Sequence, residues 1–159
     1  MKSRKRGFTV VEIVIALAII AIISLAATSL VLISQSSQKK SRDKFFAVTL
    51  CNNTISVVQS AAKDSKSLDE MYELFTDRID SLLSIKLDNL TDSKTKICFD
   101  GSWKQLTSDF DDTKFECVLS FTNGQDDGIE KTVNFNMQVR NVSKDTEIYS
   151  TSYLVALGG

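Results

Sequence analysis

Proline and histidine are both absent from this chain of 159 residues, and glycine occurs only six times. Without proline nothing interrupts a helix at a fixed φ, and with so few glycines and no low-complexity block a long flexible linker is not expected. The lack of histidine, together with three cysteines that form no CxxC pair, leaves a zinc or thiol-redox site without support. There is no nucleophile elbow and no Gly-rich phosphate loop, so neither an enzyme nor a cofactor is expected. An excess of either charge is missing too, with 19 basic against 20 acidic residues.

What the chain does have is one long apolar run. From Ile13 to Ile33 no residue is charged, and as a helix rising about 1.5 Å per residue this run spans roughly 31 Å, enough to cross a bilayer. Lys2, Arg4, Lys5 and Arg6 all precede it, and clustered positive charge stays on the cytoplasmic side during insertion. The remainder is therefore expected outside. Setting the four leader charges apart leaves fifteen basic against twenty acidic residues, a net −5, which gives no general electrostatic footprint for nucleic acid.

Glu12 stands out as a carboxylate at the edge of that run. A charge at mid-bilayer costs roughly 2.5 to 3.5 kcal/mol on insertion scales and less at the boundary, so a plain single-pass anchor whose Glu12 reaches the headgroups is one reading. A secretory signal peptide cut after Ala26, where Ser24 and Ala26 are small, is a second, although Glu12 would then lie within its apolar core.

The third reading takes Gly7, Phe8 and Glu12 together. The stretch "GFTVVE" after a short basic leader resembles the type IV prepilin signature, and "VEIVIALAII" resembles the anchors of minor pilins and secretion pseudopilins. The resemblance is specific over residues 1 to about 33 and architectural beyond. It implies that a prepilin peptidase cuts between Gly7 and Phe8 on the cytoplasmic face and methylates the new amine of Phe8, with the helix retained. Gly7 suits such a site because it has no side chain to obstruct approach to the backbone. It further implies that Glu12 of one subunit meets the Phe8 amine of a neighbour in a helical bundle, pairing two charges in an apolar core. Such a pair is costly to break on one side and adds little net stability, so it acts as a device for register and specificity. The mid-anchor Gly and Pro common in major pilins are replaced here by "AIIAIISLAATS", which points to a minor rather than a bulk subunit.

Beyond the run the helical period continues: Phe45, Val48, Cys51, Ile55, Val58 and Ala62 recur at spacings of three and four. One helix of about fifty residues is expected, its far half packed on a head. A second helix is expected from about Leu68 to Lys86, with Leu68, Met71, Phe75, Ile79, Leu82 and Leu83 on one side and Ser67 with Glu70 as its cap. The pattern then changes to period two in Phe115, Cys117, Leu119, Phe121 and in Val133, Phe135, Met137, Val139, with "NGQDDG" supplying a turn. Further strands are expected near Glu147 to Leu157 and around Ile97 to Phe99 or Trp103 to Leu106. The expected fold is α+β: a long N-terminal helix, membrane anchor first, packed on a small antiparallel sheet. Its divisions are a leader at 1–7, a transmembrane and assembly helix at 8–33, and an extracytoplasmic head at 34–159.

Within the head, Cys98 and Cys117 are the preferred disulfide because both lie in strand-like stretches that can be neighbours, while three buried free thiols are the alternative. The acidic stretches at 109–112 and 125–128 do not match the spaced ligands of a calcium loop and read more simply as solvated turns, so no metal is expected. Lys94, Lys96, Lys104 and Lys114 form a basic patch only if the strands align. Trp103 and Phe99 are read as core aromatics in so small a head. Three glycosylation sequons carry no weight in a bacterial chain. The partners implied are a prepilin peptidase, other pilin subunits, an assembly platform and the membrane, with no nucleic acid expected. The location implied is the membrane before assembly, then a surface or periplasmic filament. The rival from another class is a membrane-anchored extracytoplasmic binding or sensing domain that never polymerises.

Overall fold

The computed structural model of the chain describes residues 9–87, 94–107, 112–126 and 131–158. It divides into two compact units, Met1–Arg42 and Asp43–Gly159. The first helix, α1, spans Val10–Lys63, close to the length its uninterrupted pattern predicts. In the first unit every described helical residue is exposed, from Val10 at 77% through Leu25 at 76% to Ile33 at 64%. An apolar helix with no buried face there is long and apolar enough to cross a membrane. Its few polar side chains are satisfied inside the helix: the hydroxyls of Ser24, Thr28 and Ser29 donate to the carbonyls of Ile20, Ser24 and Leu25 at 2.8, 2.8 and 3.0 Å. A hydroxyl whose proton is already used in this way adds little to the burden of an apolar surrounding.

The second unit is an antiparallel sheet with two helices on one face. Its strands are β1 (Lys94–Phe99), β2 (Gln105–Leu106), β3 (Phe115–Asp126), β4 (Lys131–Asn141) and β5 (Thr146–Ala156), in the spatial order β2-β1-β3-β4-β5. The period-two residues form the inner face as their alternation predicts: Phe115, Cys117, Leu119 and Phe121 on β3 lie beside Val133, Phe135, Met137 and Val139 on β4, none more than 1% exposed. Opposite alternates carry Glu116, Val118, Ser120, Asn136, Gln138 and Arg140 on the outer face. The strand expected at either Ile97 to Phe99 or Trp103 to Leu106 is found at both places, as β1 and the two-residue β2, which pair side by side. The β3–β4 ladder runs on past the apolar alternation to Asp126 opposite Lys131, with a bulge between Asn123 and Asp126.

Helix α2 (Leu68–Leu83) buries Met71, Phe75 and Ile79, with Phe75 and Tyr72 set edge-on to Phe121 at 5.2 Å each. Its cap is the expected one: Ser67 accepts from the Glu70 amide, and the Glu70 carboxylate accepts from the Lys66 amide at 2.8 Å. The helix stops before the expected Lys86 because Ser84 turns left-handed, at φ 54, and closes the last turn through its amide to the Asp80 carbonyl. Leu82, expected on the core side, is 66% exposed. Arg78 ties α2 to the end of α1 through Ser60 and Asp64, both at 2.5 Å.

Two further expectations need correction. The core stripe of α1 begins not with Phe45, which is 67% exposed, but with Asp43 and Ala47, followed by Cys51, Thr54, Ile55 and Val58. Counting back from Cys51 at 3.6 residues per turn reaches Ala47 and Asp43, and places Phe45 well round the cylinder. Cys98 and Cys117 do lie on neighbouring strands, but Cys117 stands opposite Ile97 while Cys98 stands opposite Glu116. Strand alternation thus puts the two thiols on opposite faces of the sheet, where no bridge can join them, and all three cysteines are buried and free.

Candidate functional site

The first described turn is built by four residues, Thr9 to Glu12. Thr9 donates twice to the Glu12 carboxylate, from its amide to Oε2 at 2.8 Å and from its hydroxyl to the same oxygen at 3.0 Å. In return the Thr9 hydroxyl accepts from the Glu12 amide at 3.3 Å, and its carbonyl accepts from the Ile13 amide at 3.3 Å. This is a reciprocal capping box: amides that a helix start leaves unpartnered are satisfied, and the negative side chain sits at the positive end of the helix. The spacing T-x-x-E in "TVVE" was the signal for it, and attention to a neighbour's amine passes over it. Both Thr9 donors meet one carboxylate oxygen, and among the described residues no cation lies within ion-pair distance of Glu12.

Gly7 and Phe8, the expected processing residues, lie outside the described residues. Residues 2–28 match the family model described as the prokaryotic N-terminal methylation motif. The chain carries the prepilin-type motif. The match covers the basic leader, Gly7, Phe8, Glu12 and the first part of the apolar run, and stops short of the head. With an exposed apolar helix directly behind it, the motif supports a membrane-anchored, type IV pilin-like protein. No curated protein and no solved structure matches the chain.

The other candidate residues are scattered over the head. Lys94 and Lys96 share the outer face of β1, where Lys96 meets the buried Glu116 at 2.9 Å. Arg140 approaches the same carboxylate oxygen at 3.6 Å and reaches Asp145 at 4.0 Å, so Lys96 and Arg140 are matched by two carboxylates there. Lys104 and Lys114 flank the turn after β1. There Asp100 Oδ1 accepts from the amides of Ser102 at 2.7 Å and Lys104 at 3.0 Å, and these two backbone bonds hold its carboxyl below the usual range. Lys114 lies along Gly101, where a Cβ would stand 3.2 Å from its Cδ. Of the acidic stretches, residues 109–111 and 127–128 lie outside the described residues.

Of the two expected core aromatics, Phe99 is buried, only 4% exposed, while Trp103 is half-buried and packs against the core from its edge. The indole stacks on Phe115 at 4.2 Å between ring centroids, on Phe46 of α1 at 5.8 Å, and meets Phe99 at 5.9 Å. It holds this place with a left-handed backbone, φ 64, which a residue with a Cβ adopts at a cost. The aromatic cluster therefore fixes where α1 lies along β3.

Proposed function

We propose that this chain is a structural subunit of a type IV pilus or related filament, a minor pilin or pseudopilin. The reading rests on the methylation motif at residues 2–28 running directly into a charge-free helix. A prepilin peptidase cuts after Gly7 on the cytoplasmic face and methylates the amine of Phe8. The cut removes Lys2, Arg4, Lys5 and Arg6, the charges that hold the segment's end in the cytoplasm, and leaves one positive amine. The processed helix stays in the membrane as a single-pass anchor until an assembly platform moves it into a filament beside other pilin subunits, with the head outside the cytoplasm.

In that filament Glu12 receives the Phe8 amine of a neighbouring subunit. Supporting this, both internal bonds to Glu12 fall on Oε2, which leaves Oε1 as the oxygen to meet a second donor. An anchored binding or sensing domain that does not polymerise is the second reading, and the same capping box favours it, because Thr9 gives Glu12 a purpose within one chain.

Intact mass of the protein from native membranes tests the proposal. Wild type is expected to lack the seven leader residues and to carry one added methyl group, and Gly7→Ala to abolish or strongly slow the cut. A full-length wild-type chain would sink the filament subunit, and a chain beginning at Ala27 would mean a signal peptide. Glu12→Ala separates the two readings. Processed but unassembled Glu12→Ala protein supports the subunit, whereas indifference to the substitution supports the anchored domain.

A further inference from the structure

Two of the three cysteines lie on the same side of the sheet. Cys117 is on the inner face of β3, and Cys51 is on the α1 stripe that covers that face, and both are fully buried in one core. Their levels along the core can be compared from fixed points at either end. Near one end Trp103 stacks on both Phe46 and Phe115. Near the other, the Gly158 amide donates to the Ala62 carbonyl at 2.8 Å while its neighbour Leu157 donates to Lys131, the partner of Asp126 at the far end of β3. The head portion of α1 and β3 therefore run in the same direction.

From the Trp103 stack, Cys51 lies about 7.5 Å along α1, counting roughly 1.5 Å per helical residue from Phe46. Cys117 lies about 6.6 Å along β3, counting roughly 3.3 Å per strand residue from Phe115. The two thiols stand at the same level. Their neighbours on the helix face are Ala47 and Thr54, both small and buried, which lets the helix backbone come close to the strand at this point. Burial pushes the Cys117 thiol well up, and after burial the largest cause is the charge of Cys51, as expected of two sulfurs that face each other.

We propose that Cys51 and Cys117 form a disulfide that staples α1 to the middle strand of the head, leaving Cys98 on the outer face as the free thiol. The proposal rests on the reading that places the head outside the cytoplasm, where structural disulfides persist. The bridge forms by exchange with the disulfide of a thiol–disulfide oxidoreductase. One cysteine of this chain attacks an enzyme sulfur and releases the enzyme's other sulfur as a thiol. The second cysteine then displaces the enzyme from that mixed disulfide. The chain loses two hydrogens and the enzyme ends as a dithiol. Exchange belongs to the folding stage, because thiolates are the attacking species and burial pushes the Cys51 thiol up to about 12 once the core closes.

The test refolds the purified full-length chain in detergent micelles with oxidised and reduced glutathione, then denatures it at neutral pH in excess alkylating agent, which caps every free thiolate, and maps the cysteines. The expected result is a Cys51–Cys117 crosslinked peptide, alkyl label on Cys98 alone, and a mass about 2 Da below the reduced chain. Reduction is expected to lower the melting temperature by roughly 10 °C, because the bridge closes a long loop. Cys51→Ala is expected to expose Cys117 to label, and Cys98→Ala to leave the bridge unchanged. Label on all three cysteines, or any bridge that includes Cys98, overturns the proposal. The same map on protein from native membranes reports the bridge while the terminal mass reports leader removal. A bridged chain with its leader intact would sink the filament subunit and keep the bridge, and a processed chain with three labelled thiols would do the reverse.

Discussion

Thr9 and Glu12 answer each other's polar groups at the start of α1, which changes what a substitution at either one should do. Thr9→Val removes the hydroxyl that both gives and takes a bond and leaves the amide bond to Oε2 in place, so the loss is about 1 kcal/mol, as for other N-caps. Glu12→Gln keeps the shape and removes the charge. If Glu12 serves a neighbour's amine, Glu12→Gln abolishes filament incorporation while Thr9→Val only reduces it, by up to about fivefold for that 1 kcal/mol; quantifying sheared filaments by immunoblot tests this, and equal loss in the two variants would assign the carboxylate to capping alone. A second prediction at this scale concerns the buried thiols. Cys51 is pushed from 9.0 to about 12 by burial, and Cys117 moves the same way. In reduced protein the fold keeps both protons while the unfolded chain loses them above pH 9, so their contribution is fully present below pH 9 and is lost as pH rises toward 12. Thermal melts of the reduced chain should fall across that window, and the fall should be shallower in Cys51→Ala. The carboxylate was visible in the sequence as an oddity and its partner Thr9 was not, because a threonine beside an apolar run draws no attention unless the cap spacing is tested.

At the level of elements, the period-two strands were fully legible and the helix stripe only partly so. Alternation named all eight inner residues of β3 and β4 because each is apolar and, Val118 apart, the alternates between them are polar. On α1 the face against the sheet opens with Asp43 and Ala47, a charge and a methyl group, which hydropathy passes over in favour of the exposed Phe45. The disulfide choice failed for a related reason, since proximity of strands says nothing about faces unless the register is known. The turn between β1 and β2 offers a sharp test of strain against stacking. Trp103→Ala removes the stack on Phe115, Phe46 and Phe99 but keeps a Cβ at φ 64, whereas Trp103→Gly removes the stack and relieves the backbone. The alanine variant is therefore expected to be less stable than the glycine variant by about 1 kcal/mol, both falling well below wild type. Urea midpoints followed by circular dichroism would show the order, and the reverse order would mean that the left-handed turn stores no strain. At α2, Ser67→Ala is expected to cost about 1 kcal/mol through its lost bond to the Glu70 amide, read from the same midpoints.

Among the described residues, every buried member of the hydrophobic core lies between Ala47 and Val155, within the second compact unit. The apolar helix before it buries none of its own side chains as far as Arg42. The chain's C-terminal segment also meets the end of α1 within that unit. The Gly158 amide bonds to the carbonyl of Ala62, and a Cβ on Gly158 would run into the carbonyl oxygen of Lys63, so the approach needs glycine. A fragment of residues 43–159 keeps the whole core, both helix caps of α2, the five strands and this closing contact. It is expected to be soluble, monomeric and folded, with one cooperative transition. Trp103, the single tryptophan, reports on it directly, because it stacks where α1, β1 and β3 meet. Its emission in the fragment should match that of the full chain in detergent and shift to the red in one step with urea. A fragment whose tryptophan is already solvent-exposed, or which melts without cooperativity, would mean that the membrane half of α1 is needed to hold the other half helical. In that case head and anchor would fold as one unit.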